Sequence, residues 1–368
     1  MTEVVTGRPG SPAEPAEPAD EAARRDADVP TAGDGSGRGS GKGKGPGKGG
    51  NGGGNGGGNG GGSGKGKGSK ARKPDDPGRR LVHAPLTPPW SNQGLFEVFR
   101  RRYILTLLVR REIAARYQGS VLGLVWSYVN PLTQFFIYYF VMGVLFGRAK
   151  HTQAFAIHVF AALIIVHFFI ETMNAGTRSI VRNKQLVQKM AVPREMFPVA
   201  SMLVSLFHVV PQVMILLVAT YISGWRPDPW GMALGVIGLL TSMALGTALA
   251  LVFSAANVFL RDVSNAVNVL GNFIRFGVPM MYPYSLVALR FRGHTALYLA
   301  NPITEAVLDF QRAFWVGATS HPAKTAAFDM PPNLTYLSLR ALLISVIALG
   351  VAQSIFSKLE RRIPERLL

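Results

Sequence analysis

Between Gly94 and Gly147 the chain passes from a dense cluster of arginines, Arg100, Arg101, Arg102, Arg110, Arg111 and Arg116, straight into an apolar run that carries no charge. A water-soluble fold has little use for that junction. A membrane does: the arginines rest at an anionic headgroup surface and the apolar run then crosses the hydrocarbon.

The apolar run, Val121–Phe146, is the first of six. Ala154–Met173, Pro198–Ser223, Trp230–Leu260, Val267–Leu289 and Leu337–Phe356 follow. Each reaches the roughly twenty residues that a helix needs to cross the bilayer core. The fifth is the least clean, interrupted by Arg275, Pro279 and Pro283. The connecting loops set a direction. The second carries Arg178, Arg182, Lys184, Lys189 and Arg194, and Lys358, Arg361, Arg362 and Arg366 follow the sixth run, whereas the first and third loops hold only Arg148, Lys150 and Arg226. Positive charge gathers on the cytoplasmic side. Six spans with both termini in the cytoplasm satisfy every loop, and an odd number does not. The expected fold is therefore an all-α polytopic membrane protein of six transmembrane helices.

Two features decorate this core. Phe96, Phe99, Tyr103 and Leu107 recur at helical spacing before the first span, which predicts an amphipathic helix over residues 90–120 lying along the interface. Arg110 falls on the same stripe, so part of the helix could touch another protein instead. Between spans five and six, two moderately apolar stretches are split by Asn301-Pro302. Neither is long enough to cross, and short helices re-entering the outer leaflet are favoured over a surface loop.

Composition fits the same division. The six-span domain covers residues 121–357, with a short basic C-terminus over 358–368. Residues 1–89 read as a disordered tail: between Thr31 and Lys70, 22 of 40 residues are glycine, interleaved with Lys, Asn and Ser. Such a segment cannot offset the entropy of ordering itself. Every Gly-Lys step there is followed by Gly, which departs from the phosphate-loop pattern, and a basic tether drawn to anionic lipid is the plainer reading. The formal net charge of +18 would otherwise suggest nucleic acid, but the basic residues sit in the tail and beside the spans, where topology accounts for them. The chain contains no cysteine, so thiolate chemistry is excluded. Its opening residues show neither the basic start nor the apolar run of a secretory signal.

Catalytic signatures are missing. No metal-binding histidine spacing, nucleophile elbow, dinucleotide fingerprint or Walker motif occurs, so no cofactor is expected in this chain. His158 and His167 lie on opposite faces of one helix. Glu171, four residues after His167, is within its reach and fits either a transport or a structural role. Arg275, about eight residues into a span, would meet a substrate phosphate, snorkel to the interface or form an intramembrane pair. Trp126, Tyr128, Phe135, Tyr138 and Tyr139 in the first span suit interfacial belts and packing, or a pathway lined with ring faces on which sugars slide.

The run RREIAARYQGSVLGLVWSYVNPL, the loop NKQLVQKMAVPREMFPVA, the region from Arg261-Asp262 to Phe276-Gly277-Val278-Pro279-Met280-Met281-Tyr282-Pro283, and Leu299-Ala300-Asn301-Pro302 together resemble the permease subunit of ABC-2 type exporters for cell-surface polysaccharides, the O-antigen, teichoic-acid and galactan transporters. The resemblance covers about residues 94–360. It implies a six-span subunit that acts as a homodimer in the bacterial cytoplasmic membrane, with two separate ATPase subunits that bind ATP and Mg. Lipid-linked glycan would enter from the inner leaflet past the arginines of the interface helix. The loop bearing Arg178, Arg182, Lys184, Lys189 and Arg194 would dock on the ATPase. Rival readings are an ABC-2 exporter of a drug or lipid, an ATPase-independent glycosyltransferase or flippase, and a membrane scaffold.

Overall fold

In the computed structural model, the described residues are 94–360, apart from 121–122, 190–191 and 292. The expected disordered tail and the C-terminal residues from 361 on lie outside them. Helix is the only regular structure among the described residues.

The predicted interface helix is two helices, α1 (Leu95–Arg100) and α2 (Arg102–Tyr117). The chain bends at Arg101 (φ −93°, ψ 38°), whose guanidinium is held by Glu97 at 2.6 Å. Val98, Leu105 and Leu108 turn inward, while Phe96, Phe99, Tyr103 and Leu107 are exposed. The apolar stripe thus faces away from the helical body, as expected of a face meant for lipid.

The first predicted span is built from three kinds of helix in succession: a 3-10 turn at Gly123–Val125, α3 (Trp126–Tyr138) and a π-helical stretch at Tyr139–Leu145. Pro131 lies inside α3, where it removes one backbone donor and crowds the preceding turn. After the short α4 (Arg148–His151) come α5 (Phe155–Arg182), the single-turn α6 (Lys184–Lys189), α7 (Met196–Ile222) and α8 (Pro229–Phe259). Among the described residues, four helices are long and apolar enough to cross a membrane: α5, α7, α8 and, last in order, α14 (Leu334–Glu360).

The fifth predicted span is not one helix. Its first part is α9 (Val263–Gly277), and Val278 then turns extended (ψ 158°) before the chain re-forms α10 (Tyr284–Arg290). Pro279 dictates the break, because a residue preceding proline is driven out of the helical region. Short helices follow: α11 (Thr295–Tyr298), α12 (Pro302–Phe314) and, after a 3-10 turn at Val316–Ala318, α13 (Pro322–Asp329). The Asn301-Pro302 pair that divides this segment is a helix start. The Asn301 side chain accepts from the Ile303 amide at 3.1 Å and Pro302 occupies the first turn, where its missing N–H costs nothing. At about 20 Å, α12 is too short to cross.

Helix α5 is the axis. Its most apolar stretch is 83% buried, against 22% for α14, and it is apolar on nearly every side, as a central helix must be. Helices α7, α8 and α12 pack around it. Close approach depends on glycine. A Cβ on Gly176 of α5 would lie 2.4 Å from the Ala250 Cβ of α8, and one on Gly238 of α8 would lie 2.7 Å from the Ala306 carbonyl of α12. Without a hydrophobic drive between helices in lipid, such small-residue contacts supply the packing. The polar side of α12 is answered by α14: Ser338 donates to Asp309, and Arg340 lies 3.5 Å from Glu305.

The two ends of the bundle differ. At one end gather α1, α2, α6 and the start of α7; there Arg194 bonds the Glu360 carbonyl at 2.7 Å and Gln353 donates to Glu195 at 2.9 Å. At the other, Arg312 pairs with Asp228 at 2.5 Å, the Arg226 amide bonds the Gly317 carbonyl, and Trp315 donates to the Gln153 carbonyl.

Candidate functional site

At the arginine-rich end, α2 crosses α7 and leaves two adjoining clefts between itself, α3, α5 and α7. Each has a volume of about 530 Å³, and they share Arg116, Glu171 and Ser205. The last turns of α2 bring Arg116 and Tyr117 over the middle of α5 and α7. Arg116 donates to Glu171 at 2.7 Å, and its second nitrogen lies 3.4 Å from His208 Nδ1. Tyr117 Oη is 2.6 Å from His208 Nε2 and also bonds Ser127 of α3. Arginine has donors only, so this network sets the imidazole with Nδ1 accepting and Nε2–H donating to the tyrosine. Four helices therefore meet in one polar knot.

A second set of bonds holds α2 to the tip of α5. Glu112 accepts from Arg182 at 2.5 Å and from Asn183 at 2.9 Å, and Arg111 donates to Asn183 at 3.2 Å. These side chains are partly solvated, and pairs of that kind contribute at most about 1 kcal/mol each to stability. Their weight lies in fixing where α2 sits. The cleft walls also carry Asn130, Thr133 and the half-exposed ring of Trp126. The buried Gln134 Oε1 and Gln212 Oε1 have no hydrogen-bond partner among the described residues. The arrangement offers cationic donors, amide acceptors and an aromatic face. That is chemistry for holding a polar, hydroxylated or phosphorylated group. No group of three metal-ligating acidic or histidine side chains occurs among the described residues.

The other residues singled out by sequence are dispersed. Arg100, Arg102 and Arg110 are exposed on α1 and α2, and Arg101 is engaged by Glu97. Tyr128 faces away from the cleft, into an apolar groove of about 740 Å³ beside Phe207, Pro211 and Met214. Tyr138 is partly buried against the core. Phe135 and Tyr139 are packing residues in a chain of rings that runs from Phe160 and Phe155 to His158 and Trp315 at centroid separations of 4.5–6.5 Å. Of the aromatic pathway candidates, Trp126 alone reaches the cleft. His158 packs against Trp315 while His167 lines the cleft, so the two are apart. Glu171 is engaged by Arg116. Arg275 sits in the last turn of α9, half-buried, with no hydrogen bond or ion pair among the described residues.

The basic loop expected between spans two and three is largely helical. Arg178 and Arg182 lie on the end of α5, and Lys184 and Lys189 on α6. Arg178, Lys184 and Lys189 are exposed. Arg194 is the correction: it is buried and bound to the last residue of α14, so its guanidinium is not open to a docking partner. Sequence placed it in a loop because nothing local reveals a bond to a residue 166 positions away. Replacing Arg194 with alanine strands the buried Glu360 carboxylate and is expected to cost about 3 kcal/mol, read as a lowered unfolding temperature in nanodiscs. An unchanged unfolding temperature would show the pair to be dispensable.

Two polar stripes escaped the sequence reading. Ser201, Ser205, His208 and Gln212 recur along one face of α7, all buried. Asn265, Asn268, Asn272 and Arg275 recur along α9, where the three asparagines are exposed. The spacing of both was available; polar residues within an apolar helix at three- and four-residue steps mark a face meant for something other than lipid.

Comparison with known proteins gives the family of the chain. Residues 103–309 match the ABC-2 type transporter family. The O-antigen export system permease protein RfbA of Myxococcus xanthus is 26% identical over 272 residues, covering 74% of this chain and 98% of that protein. A protein of the same name from Klebsiella pneumoniae is 22% identical over 267 residues, covering 72% of this chain and 95% of its own length. The family match takes in nearly all of α2, the axial helix and most of α12, more than half of the chain, and on that ground the chain belongs to the ABC-2 type transporter family, as a multi-pass membrane protein.

Proposed function

We propose that this chain is the permease subunit of an ATP-driven exporter that moves a polyprenyl-diphosphate-linked cell-surface polysaccharide across the bacterial cytoplasmic membrane. The observation that carries the reading is the Arg116 cleft, opened where the interface helix meets three membrane helices in a chain whose relatives are O-antigen export permeases. Guanidinium forks suit a diphosphate through charge-assisted bonds, while the amides and Trp126 suit the first sugars. The working unit is a homodimer with two ABC ATPase subunits, which hold ATP and Mg. In this orientation the arginine-rich end and both termini face the cytoplasm. The exposed asparagines of α9, with Arg275, give a hydrophilic face on which a glycan can be handed on between two copies.

Coupling follows from the Glu112 bonds. The exposed cations Arg178, Lys184 and Lys189 surround the corner between α5 and α6, where an acidic surface of the ATPase docks. Displacing that corner pulls α2 through Arg182 and Asn183. Replacing Arg178, Lys184 and Lys189 together with alanine is expected to abolish stimulation of the ATPase while membrane insertion persists. Normal stimulation would remove the docking assignment.

The reading as a whole is tested by deleting the gene and extracting lipid. Lipid-linked glycan should accumulate inside the cell, and the purified protein should bring down a Walker-motif ATPase. Normal surface glycan with no intracellular accumulation would overturn it. A second reading, export of an apolar lipid or drug, has the groove beside Tyr128 and Met214 in its favour; it predicts normal surface glycan in the same deletion.

A further inference from the structure

At the end of the bundle opposite the arginines, α4, α10, α13 and the buried Trp315 enclose a cavity of about 400 Å³ that the proposed entry cleft does not use. Its walls are fixed before any ligand arrives. Trp315 Nε1 donates to the Gln153 carbonyl at 2.8 Å, the Ser320 amide donates to the Gln153 side chain at 3.0 Å, and Ser285 donates to Asp329 at 2.6 Å. The α4 corner is thereby pinned to the segment that leads into α13, and α13 to α10.

Its chemistry is specific. Arg148 and Lys324 both line the cavity, and neither side chain makes a hydrogen bond or ion pair among the described residues. Asp329, the carboxylate in the walls, already accepts from Ser285. Phe328 contributes a ring that is 70% exposed. Two cations beside one carboxylate leave an excess of positive charge, and an exposed ring next to hydrogen-bonding groups is the surface on which a sugar face rests. A bare inorganic anion would use only the cations, and a neutral sugar would leave them unpaired.

From this we infer that the cavity between α4, α10 and α13 binds a sugar residue bearing an acidic group, a carboxylate or a phosphate. The acidic group lies between Arg148 and Lys324, the ring lies on Phe328, and a hydroxyl donates to the free oxygen of Asp329. The inference deepens the proposed export function, under which this end faces outward and the site receives glycan as it emerges; the binding chemistry itself does not depend on that function.

Calorimetry on the full chain in nanodiscs tests it, with trigalacturonate compared against maltotriose and glucose 6-phosphate against glucose. At least one acidic probe should bind about tenfold more tightly than its neutral counterpart, the value of one charge-assisted hydrogen bond. Arg148→Gln combined with Lys324→Gln should erase that preference without lowering the unfolding temperature, and Phe328→Ala should weaken acidic and neutral sugars alike. Should the double variant prove unstable, Lys324→Gln alone, at an exposed position, still reduces the preference. The inference is overturned by equal binding of acidic and neutral probes, by inorganic phosphate binding as tightly as the acidic sugars, or by a preference that survives in the double variant. Should the deletion strain accumulate lipid-linked glycan while no acidic probe binds, this inference fails and the export function stands.

Discussion

Arg116→Ala should lower export of surface polysaccharide about tenfold or more, equivalent to ~1.4 kcal/mol, while the protein still accumulates in the membrane. The substitution removes both the bond to Glu171 and the approach to His208. It leaves the dense arginines of α1 and the start of α2 to maintain orientation. Surface glycan per cell, normalised to membrane-inserted protein, is the measurement. Arg116→Lys keeps the charge but cannot serve two acceptors with a planar fork, so partial recovery is expected. Exchanging the pair, with Arg116→Glu and Glu171→Arg together, separates the two roles of the residue. Recovery in the exchanged protein means that the bond between α2 and α5 is what matters; continued loss means that the cargo itself meets an arginine at this position. Wild-type export by the alanine variant would remove Arg116 from the mechanism.

The second large effect concerns packing. Gly176→Val and Gly238→Val should each destabilise the protein by about 3 kcal/mol, at the upper end of the usual cost of overpacking. The new atoms would collide with the Ala250 Cβ and the Ala306 carbonyl, neither of which is the movable end of a flexible side chain. Gly350→Ala is the matched control: a Cβ there meets nothing within 4 Å, and removing glycine from a helix interior gains about 0.5–1 kcal/mol. Unfolding temperatures in one detergent compare all three. Equal temperatures for Gly176→Val and the native protein would mean that α5 and α8 do not pack this closely.

How much of this was legible in the sequence depended on range. Apolar runs of span length marked α5, α7, α8 and α14 to within a few residues of their apolar portions, because twenty consecutive apolar residues admit few other structures. Two runs were built differently. The proline after Val278 ends α9 well short of a full span, and Pro131 and the π-helical stretch divide the first run; composition records the hydrophobicity of such segments and not their continuity. Asn301-Pro302 was read as a division, and the structure makes that division a capped helix start. The cleft was half visible. Arg116 and Glu171 stood out as charges near apolar segments, but the partners that give them a site, Tyr117, Ser127 and His208, lie on three different elements. Arg194 shows the converse, since a basic residue in a basic loop looked available until α14 closed over it.

The side chains that answer α12 have a temporal consequence. Glu305 and Asp309 are made early in the last quarter of the chain, yet Ser338 and Arg340 belong to its final helix. During synthesis, α12 can reach its place against the glycines of α8 before its carboxylates have their counterparts, and two fully buried acidic groups without partners are costly. The fold is therefore completed by its last helix: a chain truncated before residue 338 retains most of its apolar mass but loses the groups that make α12 tolerable where it sits.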